Sequence, residues 1–389
     1  MSRQIETLAY LGPEASFTHE AALRLQADHS LYMGVELVSA PKIATVCQMV
    51  VDGTVRYGIV PVENSTDGPV NDTLGALRQH PLRIRYEHTN PIRQSLYYPA
   101  GTSLDEIQLV ISKDSALGQC RHTLPKIFGR NIPTEERPST VAAILEVAQN
   151  NQIPMAAIGP RMAGRIQGLS EVLVQIDDVH DNPLNATRFI VVDINGEMSP
   201  TGNDKTSLIS QMPDKPGSLY RVLDTFEDQG INLAKIKSFG RDGGDIAFLM
   251  DLQGHYQDLP LAAALKRLSQ QGVGIKMLGS YPKDNYQPPE IPWELDMEDA
   301  IEKLKREVTN GVNHADKTIV AFTLADRVGA LRDSLEPFNR RGINLTEIDS
   351  LPTGRLGEYV FYLAFENGIS HRIQTINELK AHCGRLVLL

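Results

Sequence analysis

Short apolar runs alternate with stretches of helical spacing through the first half of the chain, which predicts an α/β domain over residues 1–197. Thr7–Leu11 reads as a strand that Gly12-Pro13 stops, and Ser16–Leu25 reads as a helix with Ser16 as its N-cap. Tyr57–Val62 reads as a strand running into the polar segment Glu63–Gly68, with a helix over Val70–Arg78. Leu109–Ser112 leads in the same way into a helix over Lys113–Cys120. Pro154–Gly159 is a further strand, and Arg188–Asp193 is a late one that returns to the first part of the domain. Polar residues between the end of a strand and the start of a helix lie where open α/β sheets bind ligands.

The second half repeats itself. With a shift of 112 positions (317 − 205), Lys205–Gly240 lies over Lys317–Pro352 with 13 of 36 positions identical and no gap. Gly230-Ile231-Asn232-Leu233 recurs as Gly342-Ile343-Asn344-Leu345. Two copies at so long a period mean a duplicated domain, since solenoid repeats run about 20–50 residues. Each copy has a first strand (Ser207–Met212; Thr318–Leu324), a Gly-containing loop, and a helix with apolar residues at i, i+4 and i+7. Leu219, Leu223 and Phe226 form this stripe in one copy, and Leu331, Leu335 and Phe338 form it in the other. Gly230 and Gly342 stand at the helix C-caps. Strands over Asn232–Ser238 and Asn344–Ser350 follow, then Asp245–Leu252 and Glu358–Phe365, then a second helix. The order is βαββαβ, an antiparallel sheet with two helices on one face.

The pattern of Gly-Ser/Ala-Leu, then Phe, then Gly-Ile-Asn-Leu and Ile-x-Ser resembles the ACT domain, a small module that binds amino acids in biosynthetic enzymes. The boundaries read as 204–282 and 316–389, with 283–315 a linker that begins Pro-rich and turns into a charged helix over Trp293–Val308. Gly240–Gly244 reads as a hairpin turn in the first copy.

Charge and composition narrow the class of partner. The formal charge of −10 argues against nucleic acid or an anionic membrane as partner, yet allows a small anionic substrate in a local pocket. Cys47, Cys120 and Cys383 form no metal-binding spacing and read as reduced thiols, Cys120 as a buried core thiol. No apolar run approaches the ~20 residues of a membrane span, and the N-terminus has no signal-peptide core. A cytoplasmic protein is the expectation.

No Walker A loop, GxSxG elbow, HExxH or strand-borne GxGxxG is present, so neither a metal nor a bound cofactor is expected. Four other stretches carry a resemblance over residues 7–193. Tyr10-Leu11-Gly12-Pro13-Glu14-Ala15-Ser16-Phe17 resembles the opening YLGPxGTF of the prephenate dehydratases. Pro61-Val62-Glu63-Asn64-Ser65, Gly68-Pro69-Val70 and Thr73-Leu74 resemble the PxENSxxGxVxxTL loop of that family. Ser112 with Ala116-Leu117-Gly118-Gln119-Cys120 resembles its SHPQALxQC motif, with Lys113-Asp114-Ser115 in place of His-Pro-Gln. Asn185-Ala186-Thr187-Arg188-Phe189 resembles its N-x-TRF motif.

The resemblance implies an α/β catalytic domain of two lobes, like a periplasmic binding protein, followed by two α+β ACT domains. It implies decarboxylating dehydration of prephenate to phenylpyruvate, with Thr187 as proton donor and Asn64, Ser112 and Gln119 as hydrogen-bonding anchors. Ser65 and Arg188 are candidates for substrate contact, though Arg188 also suits a structural salt bridge. The backbone N–H groups of the helix after Ser65 are expected to add anion binding. Effector candidates are Gly217, Leu219, Asn232, Gly329, Ala330, Leu331 and Asn344, with phenylalanine as effector and the second copy as the better binder. A homo-oligomer, dimer or tetramer, is implied, and so is a possible pairing of the two modules within one chain. Arogenate dehydration, prephenate decarboxylation without aromatisation, and a non-catalytic sensor are the alternatives. The retained Thr-Arg-Phe argues against the second, and the intact polar set argues against the third.

Overall fold

A computed structural model describes residues 6–150, 153–196, 199–242, 244–290, 317–356, 359–366 and 372–388. The charged helix expected over Trp293–Val308 lies outside the described residues. The chain divides into two compact units, the first formed chiefly by residues before Asn195 and the second chiefly by those after it. Among the described residues no helix is long and apolar enough to cross a membrane.

The first unit holds two sheets. Strands β1 (Thr7–Leu11), β2 (Glu36–Ala40), β3 (Tyr57–Asn64), β4 (Gly68–Pro69) and β5 (Arg83–Pro91) belong to one, with helices α1 (Phe17–Asp28), α2 (Ile43–Val51) and α3 (Asn71–Gln79) between them. Ser16 caps α1 by accepting from His19 N. The chain then crosses to a second sheet of β6 (Gln94–Pro99), β7 (Leu109–Ser112), β8 (Thr134–Glu136), β9 (Met155–Pro160) and β10 (Leu173–Ile176). Here the helices are α4 (Asp114–Gly118), α5 (Thr123–Phe128), α6 (Thr140–Gln149) and α7 (Ala163–Ile166). The helix expected over Lys113–Cys120 is only five residues long, because the chain turns again at Gln119 to begin α5.

Strand β11 (Ala186–Asp193) brings the chain back to the first sheet, whose order is β2-β1-β3-β11-β5 with β4 beside β3. The second sheet runs β10-β6-β9-β7-β8. Every residue of β11 is buried, as are all residues of β3 except Pro61, so both faces of these central strands are covered and their polar residues Glu63, Asn64, Thr187 and Arg188 are enclosed with them. Two segments therefore link the sheets, and backbone bonds tie each to the other: Ile92 N to Asn185 O at 2.8 Å and Val179 N to Gln94 O at 3.0 Å.

In the second unit, β12 (Asp204–Pro213), α8 (Ser218–Asp228), β13 (Leu233–Asp242), β14 (Asp245–Gln253), α9 (Leu259–Gln270) and β15 (Gly274–Pro282) form one βαββαβ module. β16 (Lys317–Thr323), α10 (Ala330–Arg340), β17 (Leu345–Pro352), β18 (Tyr359–Glu366), α11 (Arg372–His382) and β19 (Leu386–Leu388) repeat the order. α8 and α10 each stop at a left-handed glycine, Gly230 at φ 67° and Gly342 at φ 62°. Asp242 and Asp245 pair across the β13–β14 hairpin.

The two modules share one eight-stranded sheet, joined where β13 pairs antiparallel with β17. Lys237 stands opposite Asp349, and the 112-residue shift makes these equivalent positions, so a local two-fold axis passes between them. In a pairing of two identical modules, Lys237 or Asp349 would face its own copy, a like-charge contact. Instead Lys237 Nζ meets Asp349 Oδ2 at 2.7 Å, and charge favours pairing unlike modules. Ser350 Oγ accepts from Ile236 N (3.1 Å) and donates to Ile236 O (2.9 Å), closing the seam. Ser350→Ala leaves both groups without this partner, and we expect it to lower stability by about 1–2 kcal/mol in denaturant titrations. A midpoint unchanged from wild type would remove this account of the seam.

The core beneath this sheet follows from the sequence periodicity. Leu219, Leu223 and Phe226 of α8 and Leu331, Leu335 and Phe338 of α10 enter one cluster with Leu208, Met250, Val320 and Phe365.

Candidate active site

Strands β3 and β11 run antiparallel with Asn64 opposite Thr187. Asn64 Nδ2 donates to Thr187 Oγ1 at 2.8 Å and to Asn185 Oδ1 at 2.9 Å. Its Oδ1 accepts from Thr66 N and Asp67 N, both at 2.8 Å. One side chain thus folds the loop after β3 and grips the hydroxyl on β11. Because Thr187 Oγ1 accepts from Asn64, its own proton remains available for another acceptor.

The expected anion site after Ser65 is corrected: the first two amides are taken by Asn64 Oδ1, and β4 separates them from α3. Ser65 is fully buried and clamps the strands, accepting from Ala186 N at 3.1 Å and donating to Asn185 Oδ1 at 3.4 Å. A direct substrate contact for Ser65 is therefore not what this geometry offers. Ser112 is also fully buried and donates to Ile158 O at 2.6 Å, which pins the end of β7 to β9 and leaves only lone pairs for a ligand.

Gln119 follows α4, its backbone oxygen accepting from Asp181 N at 2.7 Å. Its Nε2 donates to Asp67 Oδ2 at 2.8 Å and its Oε1 accepts from Gln94 Nε2 at 2.9 Å. Gln119 and Asn64 are thereby linked through the Asp67 loop, across the two sheets. Ser112 has no hydrogen bond to this network among the described residues.

Arg188 is the next residue after Thr187, so its side chain leaves the strand on the opposite face. Its Nη1 lies 3.2 Å from Glu87 Oε2 and its Nε 3.9 Å from Glu63 Oε2, all three side chains being buried. This corrects the substrate-contact expectation in favour of the structural salt bridge, since the guanidinium faces two carboxylates of the protein.

Sequence reasoning did not single out Asp67, Asn90, Gln94 or the side chain of Asn185. Asn185 stands in the Asn-Ala-Thr-Arg-Phe stretch and was legible there, whereas Asp67 lies within the polar segment Glu63–Gly68 and Asn90 and Gln94 within the basic-polar stretch His88–Gln94, where nothing sets them apart from their neighbours. Asn90 stands near the end of β5, Gln94 begins β6 and Asn185 directly precedes β11, so all three flank the crossings between the sheets, and each is almost wholly buried. Among the described residues, both side-chain polar atoms of Asn90, Gln94 Oε1 and Asn185 Nδ2 have no hydrogen-bond partner. Buried polar atoms without protein partners are uncommon, and water or a polar ligand satisfies them. Cys120 is buried, and burial first and Asp181 second push its thiol far above the ordinary range, while burial raises Cys47 to about 11. Neither is a nucleophile at neutral pH.

The effector candidates fall into two groups. Gly217, Leu219 and Asn344 line one pocket between the modules, where Asn344 Nδ2 donates to Asp214 Oδ1 at 2.8 Å. On the other side of the local axis, Asn232 Nδ2 donates to Asp326 Oδ1 at 2.8 Å, on the loop that leads to Gly329, Ala330 and Leu331.

The fold is an α/β domain whose two sheets are bridged, through Asp67, by a network of buried amide and hydroxyl side chains around Asn64, Thr187 and Gln119. Residues 8–197 match the family model described as prephenate dehydratase, and residues 206–270 match that of the ACT domain. The bifunctional chorismate mutase/prephenate dehydratase of Stutzerimonas stutzeri is 36% identical over 282 residues, covering 71% of this chain and 73% of that protein. The prephenate dehydratase of Bacillus subtilis is 31% identical over 289 residues, covering 70% of this chain and 98% of that one. The crystal structure of prephenate dehydratase from Arthrobacter aurescens in complex with L-Phe has a TM-score of 0.65 and 28% identity, covering 78% of this chain and 100% of that one. The chain belongs to the prephenate dehydratase family and carries an ACT domain.

Proposed function

We infer that the chain converts prephenate to phenylpyruvate, carbon dioxide and water between the two sheets of its first unit, which act as the two lobes of a binding-protein-like cleft. The observation that carries this reading is Thr187 Oγ1 accepting from Asn64 at 2.8 Å, which leaves the hydroxyl proton free of that bond. The bond from the ring to its carboxylate breaks and its electron pair enters the ring. The ring C–O bond breaks in turn, and the departing oxygen takes the Thr187 proton to leave as water. Solvent returns a proton to Thr187, so each turnover consumes one proton. The new aromatic ring drives the step, and no electron-sink cofactor is required. Asn90 Nδ2 and Asn185 Nδ2 donate hydrogen bonds to the substrate's oxygens, Asn90 Oδ1 and Gln94 Oε1 offer acceptors to its hydroxyl, and Gln119 and Ser112 are further anchors.

A second reading rests on Asp67, whose carboxylate stands beside Gln119 in the same network. A carboxylate there suits the ammonium of arogenate better than the keto group of prephenate. Parallel incubations with the two substrates decide between them. We expect kcat/KM at least about tenfold higher for prephenate, a difference of about 1.4 kcal/mol in transition-state binding. The reverse ratio makes arogenate the substrate, and aromatisation of neither sinks both readings.

The second βαββαβ module is read as a further ACT domain, on its repeat of the first in sequence and element order. The effector is L-phenylalanine, the ligand of the Arthrobacter aurescens relative.

A further inference from the structure

We propose that the paired modules take one effector molecule per chain, at the pocket beside Gly217, because the protein's own Glu227 sets a carboxylate at the matching place beside Gly329. This rests on the effector reading above and adds which site is used and how many.

The local two-fold axis at Lys237 and Asp349 creates two equivalent places. Each combines a left-handed glycine at the N-terminus of an eleven-residue helix (Gly217 for α8, Gly329 for α10, both at φ 78°) with the Gly-Ile-Asn-Leu segment of the other module. Such a helix start favours a carboxylate. Beside Gly217 the structure has a pocket whose apolar wall includes Leu219, Phe248, Leu335 and Phe338, with Asn344 at its polar side. That lining suits a small amino acid with an apolar side chain.

The 112-residue shift pairs the residues that differ between the two places: Lys215 with Arg327, Tyr220 with Arg332, Arg221 with Asp333, and Asn339 with Glu227. Beside Gly329, Glu227 Oε1 lies 2.5 Å and its Cδ 2.7 Å from where a Cβ on that glycine would stand. Arg332 fixes it there, with Nε 2.9 Å from Glu227 Oε2 and Nη2 3.0 Å from Asp224. Arg327 is held by Asp333 at 2.7 Å. An anion already sits at the start of α10, and the cations around it are engaged. An incoming carboxylate meets like charge there.

Beside Gly217 the equivalent neighbour is Asn339, whose Oδ1 comes as close to the Cβ position as Glu227 does in the other place but belongs to a neutral amide, and Arg221 Nη1 lies 3.2 Å away. Arg221 donates to Ser218 Oγ at 3.1 Å, and among the described residues neither Arg221 nor Lys215 is ion-paired. Asp214 beside Asn344 has its counterpart in Asp326 beside Asn232, so the two places differ in Lys215 and Arg221 on one side against Glu227 on the other. For charges a few ångströms apart near a protein surface, the contrast amounts to roughly a hundred-fold or more in Kd.

Calorimetric titration of the full chain with L-phenylalanine tests this. We expect close to one equivalent bound. Asn339→Glu, which copies Glu227 into the open site, should abolish binding while the far-ultraviolet spectrum and thermal melt stay those of a folded protein. Asn344→Ala should weaken binding at least about tenfold, whereas Asn232→Ala, at the mirror position, should leave Kd within about twofold. Two equivalents on the wild type, or weakening by Asn232→Ala and not by Asn344→Ala, would overturn this inference alone. No heat from the wild type or from Glu227→Asn would sink the effector reading, and this inference with it.

Discussion

Thr187→Ala lowers kcat by about 10²–10⁴-fold, the usual contribution of a positioned proton donor, and changes KM little. The expectation follows from one geometric fact. Asn64 donates to Thr187 Oγ1, so the threonine proton is not engaged by this partner and can follow the departing ring hydroxyl. Removing the hydroxyl leaves the anchors Gln94, Gln119 and Asn185 in place, so ground-state binding survives while the transition state loses its donor. Thr187→Ser keeps the oxygen and should recover most of the rate. Steady-state kinetics with prephenate provide the check. A Thr187→Ala enzyme working at the wild-type rate would exclude this hydroxyl as donor, and a parallel rise in KM with kcat unchanged would make it a binding group.

Arg188→Leu is expected to act through stability, by about 3–5 kcal/mol, because it strips the cation from two buried carboxylates. Glu87 lies 3.2 Å and Glu63 3.9 Å from the guanidinium. Glu63 belongs to the strand that carries Asn64, so a variant that still folds will show disturbed positioning as well. Denaturant unfolding measures the loss. A stable Arg188→Leu protein with a large rise in KM would instead return Arg188 to the substrate, against the salt bridge seen here.

Much of this architecture was legible because regular patterns report local structure. The strand over Leu109–Ser112 is found at the residues the apolar run indicates, and the 112-residue repeat foretold two modules of one element order. The pairing of β13 with β17 was open to the sequence only as a possibility, since an edge strand does not reveal its neighbour. Lys237 and Asp349 make sense only once they face each other. The same limit governed the site. Asn64 and Thr187 stand in motifs, but that one grips the other is a register fact of β3 and β11. Asp67, Asn90 and Gln94 do not stand out within their polar segments and acquire meaning from what folding brings beside them. The preference given to the second module for effector binding illustrates the point. Glu227, the side chain beside Gly329, comes from the first module, and no pattern within the second module points to it.

The most direct test of the reaction is a count of products. Prephenate given to the purified full chain at neutral pH should yield phenylpyruvate, followed by its ultraviolet absorbance in base, and carbon dioxide in equal amounts. Carbon dioxide without phenylpyruvate would mean that the ring hydroxyl stays on the product and that Thr187 does not drive water out, contradicting the mechanism at its central step.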